Sequence, residues 1–541
     1  LALTDFGTKG GVSDTPDLSG SLASVLLAAY GGYGLSFDFT ETPSAKISDS
    51  GTPANNYDSS GTITSGALVG PGGKITYTSP SAKNTLQSDG YIYMQAHNLY
   101  LNSASPADQA VTVTSGATYR MTITGSVSIT VSGAATGTYT AGNNDFTAAS
   151  GTLTCGSTSG SGTVHLRRTP SVSTYLATGA SAVYDLPYIH SSGIKTGILP
   201  EAQATNVAYP SLPALSGWSQ LNHSETTNST DYTSPFNDTK STKFTLSGGS
   251  AVHLLYPNST YSSVSGTSYG LSFIVHGGTV PYMQVLFDAG THSTAPYANF
   301  DMSDGSVTAS SGCSTYSEYL QNGWYRIGII AAADTTAAGQ VEGYISPQSS
   351  SSATYNAAAN LDGLVYYLRH AQQETGVVTS PIITYAGTVT RNADNPTVAT
   401  SLFPWSATVD SMMVLYVPGS ASTELQPIYL SDGTADEVVA LGNTSGGAPQ
   451  LKIIDGGAAQ TAPLTDGTVT ANGTEKLAAK FKANAFLLSD NGAAAVSDTS
   501  GTLPTVTTLR LGGQAGSMLI KQILIVPVDY DATAIAGMAT Q

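Results

Sequence analysis

The sequence predicts an all-β protein: tandem antiparallel β-sandwiches preceded by a short N-terminal helical arm. Three observations carry this. Apolar and polar residues alternate along most of the chain, as in "AVTVTSGATYRMTITGSVSITVSG". There Val111 and Val113, then Tyr119, Met121 and Ile123, then Val127, Ile129 and Val131 fall on one face. Ser-Gly and Thr-Gly turn signals recur about every 8–12 residues, the spacing of short sandwich strands. Strand follows strand without a helical spacer, which favours antiparallel sheets over a parallel α/β arrangement.

Residues 1–35 form the arm. In it Thr15 can cap a helix, Pro16 suits the first helical position and Gly31-Gly32 ends it; Leu18, Leu22, Leu26 and Ala29 then share one face. The strongly apolar part, Leu22 to Tyr30, falls far short of the roughly 20 residues that span a bilayer. Asp5, Asp14 and Asp17 precede it with Lys9 as the one cation, so it lacks the basic flank of a secretory signal. Such a helix either packs on its own body or docks on a larger assembly.

Residues 36–95 read as an irregular β connecting region, 96–185 as a first sandwich and 186–205 as a linker. A second sandwich occupies 206–375. Its segments "SYGLSFIVHG" and "YMQVLFDAG" are apolar almost without interruption, as in strands buried on both faces. An extended linker, 376–397, lies within "HAQQETGVVTSPIITYAGTVTRNADNP" and joins a third sandwich, 398–541. The first two sandwiches close alike: a strand ending Leu-Arg, a Ser/Thr-rich arm, a Tyr, a Gly, then Val and an Asp before Pro. This weak repeat suggests one module used twice.

Composition excludes several functions. Charged residues make up 10% of the 541, against about 25% in ordinary globular proteins. The 40% apolar content argues against disorder. A net charge of −17 argues against binding nucleic-acid phosphates or anionic lipid, both of which need clustered Lys and Arg. Cys155 and Cys313 match no metal-ligand spacing and read as free thiols, a bridge between them being the less favoured alternative. Stability must therefore come from packing or from association with other chains.

Several stretches carry a resemblance. "NGWYRIGIIAAADTTAAGQVEGYIS" and "YYLRHAQQETGVVTSPIITYAGTVTRNAD" resemble carbohydrate-binding-module-like jelly rolls in structural proteins of tailed bacteriophages. "GILPEAQATNVAYPS" is similar to their incoming segment, "LSFDFTETPSA" to their N-terminal opening, and "LYLNSASPADQAVTVTSGATYRMTITG" to their short jelly roll. The last unit is similar to their concanavalin A/laminin-G-like domain through "IYLSDGTADEVVALGN", "FLLSDNG", "SDTSGTLPTVTTLRLGG" and the final strand. Gln373 stands where Leu is usual and Pro381 where Tyr is usual; "RRTPSVSTY" replaces the Gln-Leu-Glu motif in the first module. The resemblance implies two jelly rolls followed by a laminin-G-like sandwich.

Candidate site residues are few. Sugar binding needs exposed aromatic faces beside amides and carboxylates. Trp324 lies in a core strand and reads as packing; Trp218 and Trp405 flank strands and are the carbohydrate-binding candidates, with packing the favoured alternative. Laminin-G-like domains often hold calcium at a rim, which makes Asp432, Asp436 and Asn443 candidate ligands for that cofactor. Turn formation is the competing and favoured role. The nine glutamates show no marked pair and the eight histidines no HExxH, so no catalytic residue is assigned and an enzyme is not expected.

The expected function is that of a phage virion structural protein: a tail fibre, spike or receptor-binding component presenting lectin-like domains to host-surface glycans. A head fibre or capsid decoration, a glycan depolymerase and a bacterial surface adhesin are the alternatives. The expected partners are copies of the chain, other virion proteins and host glycans, at the surface of the extracellular particle. No nucleic acid and no membrane insertion are expected. Self-association is expected because thin sandwiches leave edges that need covering.

Overall fold

The computed structural model describes residues 83–540, apart from short internal stretches, and the backbone pairing of six strands between residues 34 and 77. The helical arm expected in residues 1–35 lies outside the described residues except for the strand that begins at Gly34. The chain is all-β, built from antiparallel sandwiches.

The first sandwich packs a four-stranded sheet (Gln109–Thr112, Thr152–Ser159, Ser128–Gly133, Gly137–Tyr139) on a three-stranded one (Gly142–Thr147, Thr118–Ile123, Val164–Arg168). Its core is the alternating set read from the sequence: Val111, Val113, Tyr119, Met121, Ile123, Val127, Ile129 and Val131 are all buried. Period-two alternation puts every second side chain on the inner face, and burying that face drives the two sheets together.

The second sandwich has two six-stranded sheets around a core that includes Phe244, Leu271, Phe273, Phe300 and Ile327. One sheet is covered on its outer face as well. There Ile274, Trp324 and Tyr367 meet Phe236, Leu212, Ile383 and Ile92 in a second, smaller core. This is why the strand Ser268–His276 is buried along both faces, as its uninterrupted apolar run predicts.

The third sandwich is not confined to the C-terminal segment. Each of its two sheets has ten strands. Gly34–Asp38 pairs with the strand Met518–Val526, and Ile75–Tyr77 pairs with Pro396–Ala399. Ile194–Ile198, which lies between the two jelly rolls in sequence, also reaches Met518–Val526 through Ile198 and Ile520. The region 36–95, read as an irregular connection, and the linker 186–205 thus supply strands to the third sandwich. It serves as a hub that the chain leaves and rejoins twice, with a jelly roll on each excursion. A C-terminal helix, Ala532–Ala539, is capped by the Asp531 side chain accepting from Ala534 N and seals Met413, Ala478 and Leu524 with Ile535 and Met538.

Both jelly rolls are closed by the same polar clasp. The Asn98 side chain donates to Val164 O (3.1 Å) and Leu176 O (2.9 Å) and accepts from Leu166 N (3.0 Å) and Tyr100 N (3.1 Å). Asn206 does the same with Ala371 O (3.1 Å), Ile382 O (2.8 Å), Gln373 N (3.0 Å) and Ala208 N (3.0 Å). Ser103 and Thr178 then exchange two backbone-to-hydroxyl bonds of 2.9 Å, and Ser211 and Thr384 repeat them at 2.8 and 2.9 Å. Each buried amide thus has its donors and acceptors satisfied while stapling the incoming segment, the last strand and the outgoing arm. The clasp fixes the register of the repeat: Leu166 corresponds to Gln373, five residues beyond the Leu-Arg match in the sequence.

Candidate functional site

The residues singled out in the sequence do not form one site. Trp218 is half-buried against the second core, and its Nε1 donates to Pro210 O at 3.0 Å. Trp405 packs on the third core and stacks on Phe481, with centroids 5.3 Å apart. Asp432 and Asp436 share an exposed turn, where Asp432 accepts from the Thr434 N–H (2.8 Å) and hydroxyl (2.6 Å). Asn443 stands at the far end of the following strand, Val438–Asn443. It is buried, accepting from Tyr416 OH (3.1 Å) and donating to Thr423 O (2.9 Å). A six-residue strand is about 20 Å long, so the three oxygens named as calcium ligands do not converge on one ion. Among the described residues no group of three or more His, Cys, Asp or Glu is arranged to hold a metal ion. Cys155 is buried and Cys313 half-buried, and both are free thiols.

What the fold does bring together is a set of charges at the crossings of hub and jelly rolls. Lys83 lies where the chain leaves the hub, Glu201 between the jelly rolls, and Arg391 and Asp394 where the chain returns. Lys83 pairs with Asp394 and, at 2.9 Å, with Glu201; Arg391 meets Glu201 at 2.8 Å. Glu201 N donates to the Asp394 carboxylate and Asp394 N to Glu201 O, both at 2.9 Å. Ser380, on the arm, donates its N–H (2.9 Å) and hydroxyl (2.7 Å) to Glu201. All four charged side chains are at least 96% buried. Burial alone would raise the Glu201 carboxyl, but Arg391 and Lys83 reverse this and hold it at about 2. Two cations and two anions cancel, so the cluster locks geometry without leaving a net charge inside. Nothing in the local pattern around these four residues, up to 311 positions apart, marks them as partners.

Beside this lock lies a cleft of about 1220 Å³ between the second jelly roll and the hub. One wall is the outer sheet face at Ser314, Tyr316, Glu318, Arg326 and Ile330; the other is the hub at Val417, Thr423, Ser445, Asn472 and Leu519. The arm Gly376–Pro381 separates this open half of the face from the covered half. It can lie flat because Gly270 has no side chain: a Cβ there would come within 3.2 Å of the Val377 and Val378 backbone. Glu374 anchors the arm, accepting from Thr379 N (2.7 Å), Thr379 Oγ1 (2.7 Å) and Gln372 Nε2 (2.8 Å).

Within the cleft the Tyr316 hydroxyl donates to Glu318 at 2.7 Å, and the Arg326 guanidinium lies 5.7 Å from the Tyr316 ring centroid. Burial, with Glu318 beside it, pushes the Tyr316 hydroxyl well above its usual range, so it stays a donor. Among the described residues, the two carboxylates that line the cleft are Glu201, committed to Lys83 and Arg391, and Glu318. Sequence reading assigned Tyr316 and Arg326 no role, since each sits in an ordinary strand pattern.

Neither a family model nor a curated protein sequence matches the chain. Solved structures with a partial likeness include the Trypanosoma rangeli sialidase in complex with sialic acid, at 8% identity over 55% of this chain and 59% of that one, TM-score 0.22. The N-terminal CBM22 tandem domain of Xyn10C from Paenibacillus barcinonensis aligns at 8% identity over 62% of this chain and 98% of that one, TM-score 0.18. A tail fibre protein from an E. coli phage aligns at 10% identity over 60% of this chain and 42% of that one, TM-score 0.16. These likenesses are to β-rich architecture and assign no activity.

Proposed function

We propose that the chain is a structural protein of a bacteriophage virion, of the tail fibre, spike or receptor-binding kind, that adheres to host-surface glycans without cleaving them. The observation that carries this reading is the junction. Buried charges and amide clasps hold two lectin-like sandwiches on a hub, and a cleft lined by apolar side chains interspersed with hydroxyls and amides is left open between hub and sandwich. That lining suits sugar rings, whose C–H faces need apolar contact and whose hydroxyls need oriented polar partners. Adhesion is favoured over cleavage because a retaining or inverting hydrolase needs two working carboxylates. Of the two in the cleft, Glu201 is consumed by Lys83 and Arg391. Self-association would use exposed edge strands such as Gly142–Thr147 and Val307–Ser311.

The test combines location and activity. Labelled antibody should decorate virion tails, and the purified chain should bind host polysaccharide while leaving its chain length unchanged. Shortened polysaccharide, or virions that take no label, overturns the reading.

A further inference from the structure

We infer that the inter-body cleft takes a carboxylate-bearing sugar, with Arg326 pairing to the carboxylate; this rests on the adhesive reading above and names its ligand class.

Buried guanidinium groups are costly unless paired. Arg369, 1% exposed, forms a double bond pair with Asp238 at 2.9 and 2.6 Å. Arg391, 3% exposed, has Glu201. Arg167, 7% exposed, has the Ser171 carbonyl and hydroxyl, both at 2.9 Å. Arg326 is 2% exposed, yet its one hydrogen bond is from Nη2 to the neutral Ser272 hydroxyl, at 3.1 Å. Its Nε is buried without an acceptor, as is at least one nitrogen of each of the other three, but Arg326 has a single neutral hydroxyl to set against its charge, and among the described residues no carboxylate lies within the 4.0 Å of an ion pair.

Glu318 stands directly across the strand pair from Arg326, but its carboxylate takes the Tyr316 hydroxyl instead. Glu374, the other carboxylate that feels the Arg326 charge, is likewise bound to Gln372 and Thr379, so neither forms an ion pair with Arg326. A lone guanidinium with no lysine beside it suits a monoanion such as a carboxylate, with its two-pronged geometry, better than a phosphate dianion. The rest of the lining speaks for a sugar over an acidic peptide: Asn84, Ser314 and Asn472 offer hydroxyl partners, and Ile330 and Leu519 offer apolar surface for a ring face. At about 1220 Å³ the cleft exceeds the usual 300–1,000 Å³ of a small-molecule pocket and has room for several rings.

The experiment applies the full chain to an array of uronate- and neuraminate-bearing oligosaccharides beside their carboxyl-reduced counterparts, neutral glycans and poly-glutamate. Acidic glycans should bind at least about tenfold tighter than their reduced forms, and added salt should weaken them. Glu318→Gln removes a like charge and should strengthen binding about two- to fivefold. Tyr316→Phe frees Glu318 to neutralise Arg326 and should weaken it. Arg326→Lys, which keeps the charge but not the fork, should lose about tenfold; it serves beside Arg326→Met should that variant fold poorly. Equal binding of reduced and acidic forms, or weakening by Glu318→Gln, overturns the inference and leaves the adhesive reading standing. Poly-glutamate binding as tight as the acidic glycans overturns it in favour of a peptide. No glycan bound at all removes both.

Discussion

The two jelly rolls are tied by the same clasp and put to different use. In each, one buried asparagine staples the incoming segment to the last strand and the outgoing arm, and a Ser–Thr pair locks the arm beyond it. They differ one step further out. At the position of Glu374 the first jelly roll has Arg167, which donates to Ser171 where Glu374 accepts from Thr379. In the second, the arm and a loop carrying Phe236 cover half of the outer sheet face with a small core of their own. The lesson is that closure and function are separable: the clasp makes a stable module, and what is laid over its outer face decides whether a site forms there.

This comparison can be broken or sharpened. Asn98→Ala and Asn206→Ala each remove four buried hydrogen bonds and strand their partners. Each should cost about 3–5 kcal/mol, and the two losses should agree within about 1 kcal/mol in urea unfolding. A large inequality would mean that the clasps only look alike. Next, Glu374→Ala should cost about 3 kcal/mol and expose the arm to proteolysis, whereas Arg167→Ala should cost about 1 kcal/mol, because one holds three bonds to two residues and the other two bonds to Ser171 alone.

Acidification gives a third, smaller effect. Burial holds His97 at about 3 and His165 at about 4, below the ordinary 6.5. The folded first jelly roll therefore binds fewer protons than the unfolded chain, so stability is full above 6.5 and falls as pH drops below it. Each histidine should cost about 2 kcal/mol by pH 5, read as faster hydrogen exchange in Thr118–Ile123 and Val164–Arg168. The hub should respond in the opposite sense. Burial raises the Asp410 carboxyl to about 8 from 3.8, so its folded form binds more protons, and stability present at low pH is lost as pH rises toward 8. Asp410→Asn should accordingly stabilise the hub by about 1 kcal/mol at pH 7 and flatten its pH dependence, as measured by thermal unfolding.

Much of the fold was legible because strand periodicity is local. Val111 to Val131 announced an inner face, and the unbroken run Leu271 to Val275 announced burial on both sides. What periodicity cannot encode is the partner of a strand. Gly34–Asp38 reads as β, but its pairing with Met518–Val526, nearly 500 residues on, leaves no mark in the local pattern. The clasps hid because Asn98 and Asn206 look like turn formers until their amides are seen buried. Trp218 and Trp405 drew attention as aromatic platforms, while the cleft is built from Tyr316 and Arg326, whose significance lies in which neighbour each lacks or occupies. The helix Ala532–Ala539 carried a readable signal, Asp531 before an Ala-rich run, masked by the strand-rich context.

The pairing of the earliest strands with the last one has a consequence for synthesis. As the chain emerges from the ribosome, each jelly roll can close as soon as its own arm appears. Gly34–Asp38, however, can pair early with Ala45–Ser48 but must wait for Met518–Val526 to cover its other edge. The two excursions would thus be finished before the body that bears them, and one edge of Gly34–Asp38 would stay open while both jelly rolls are made.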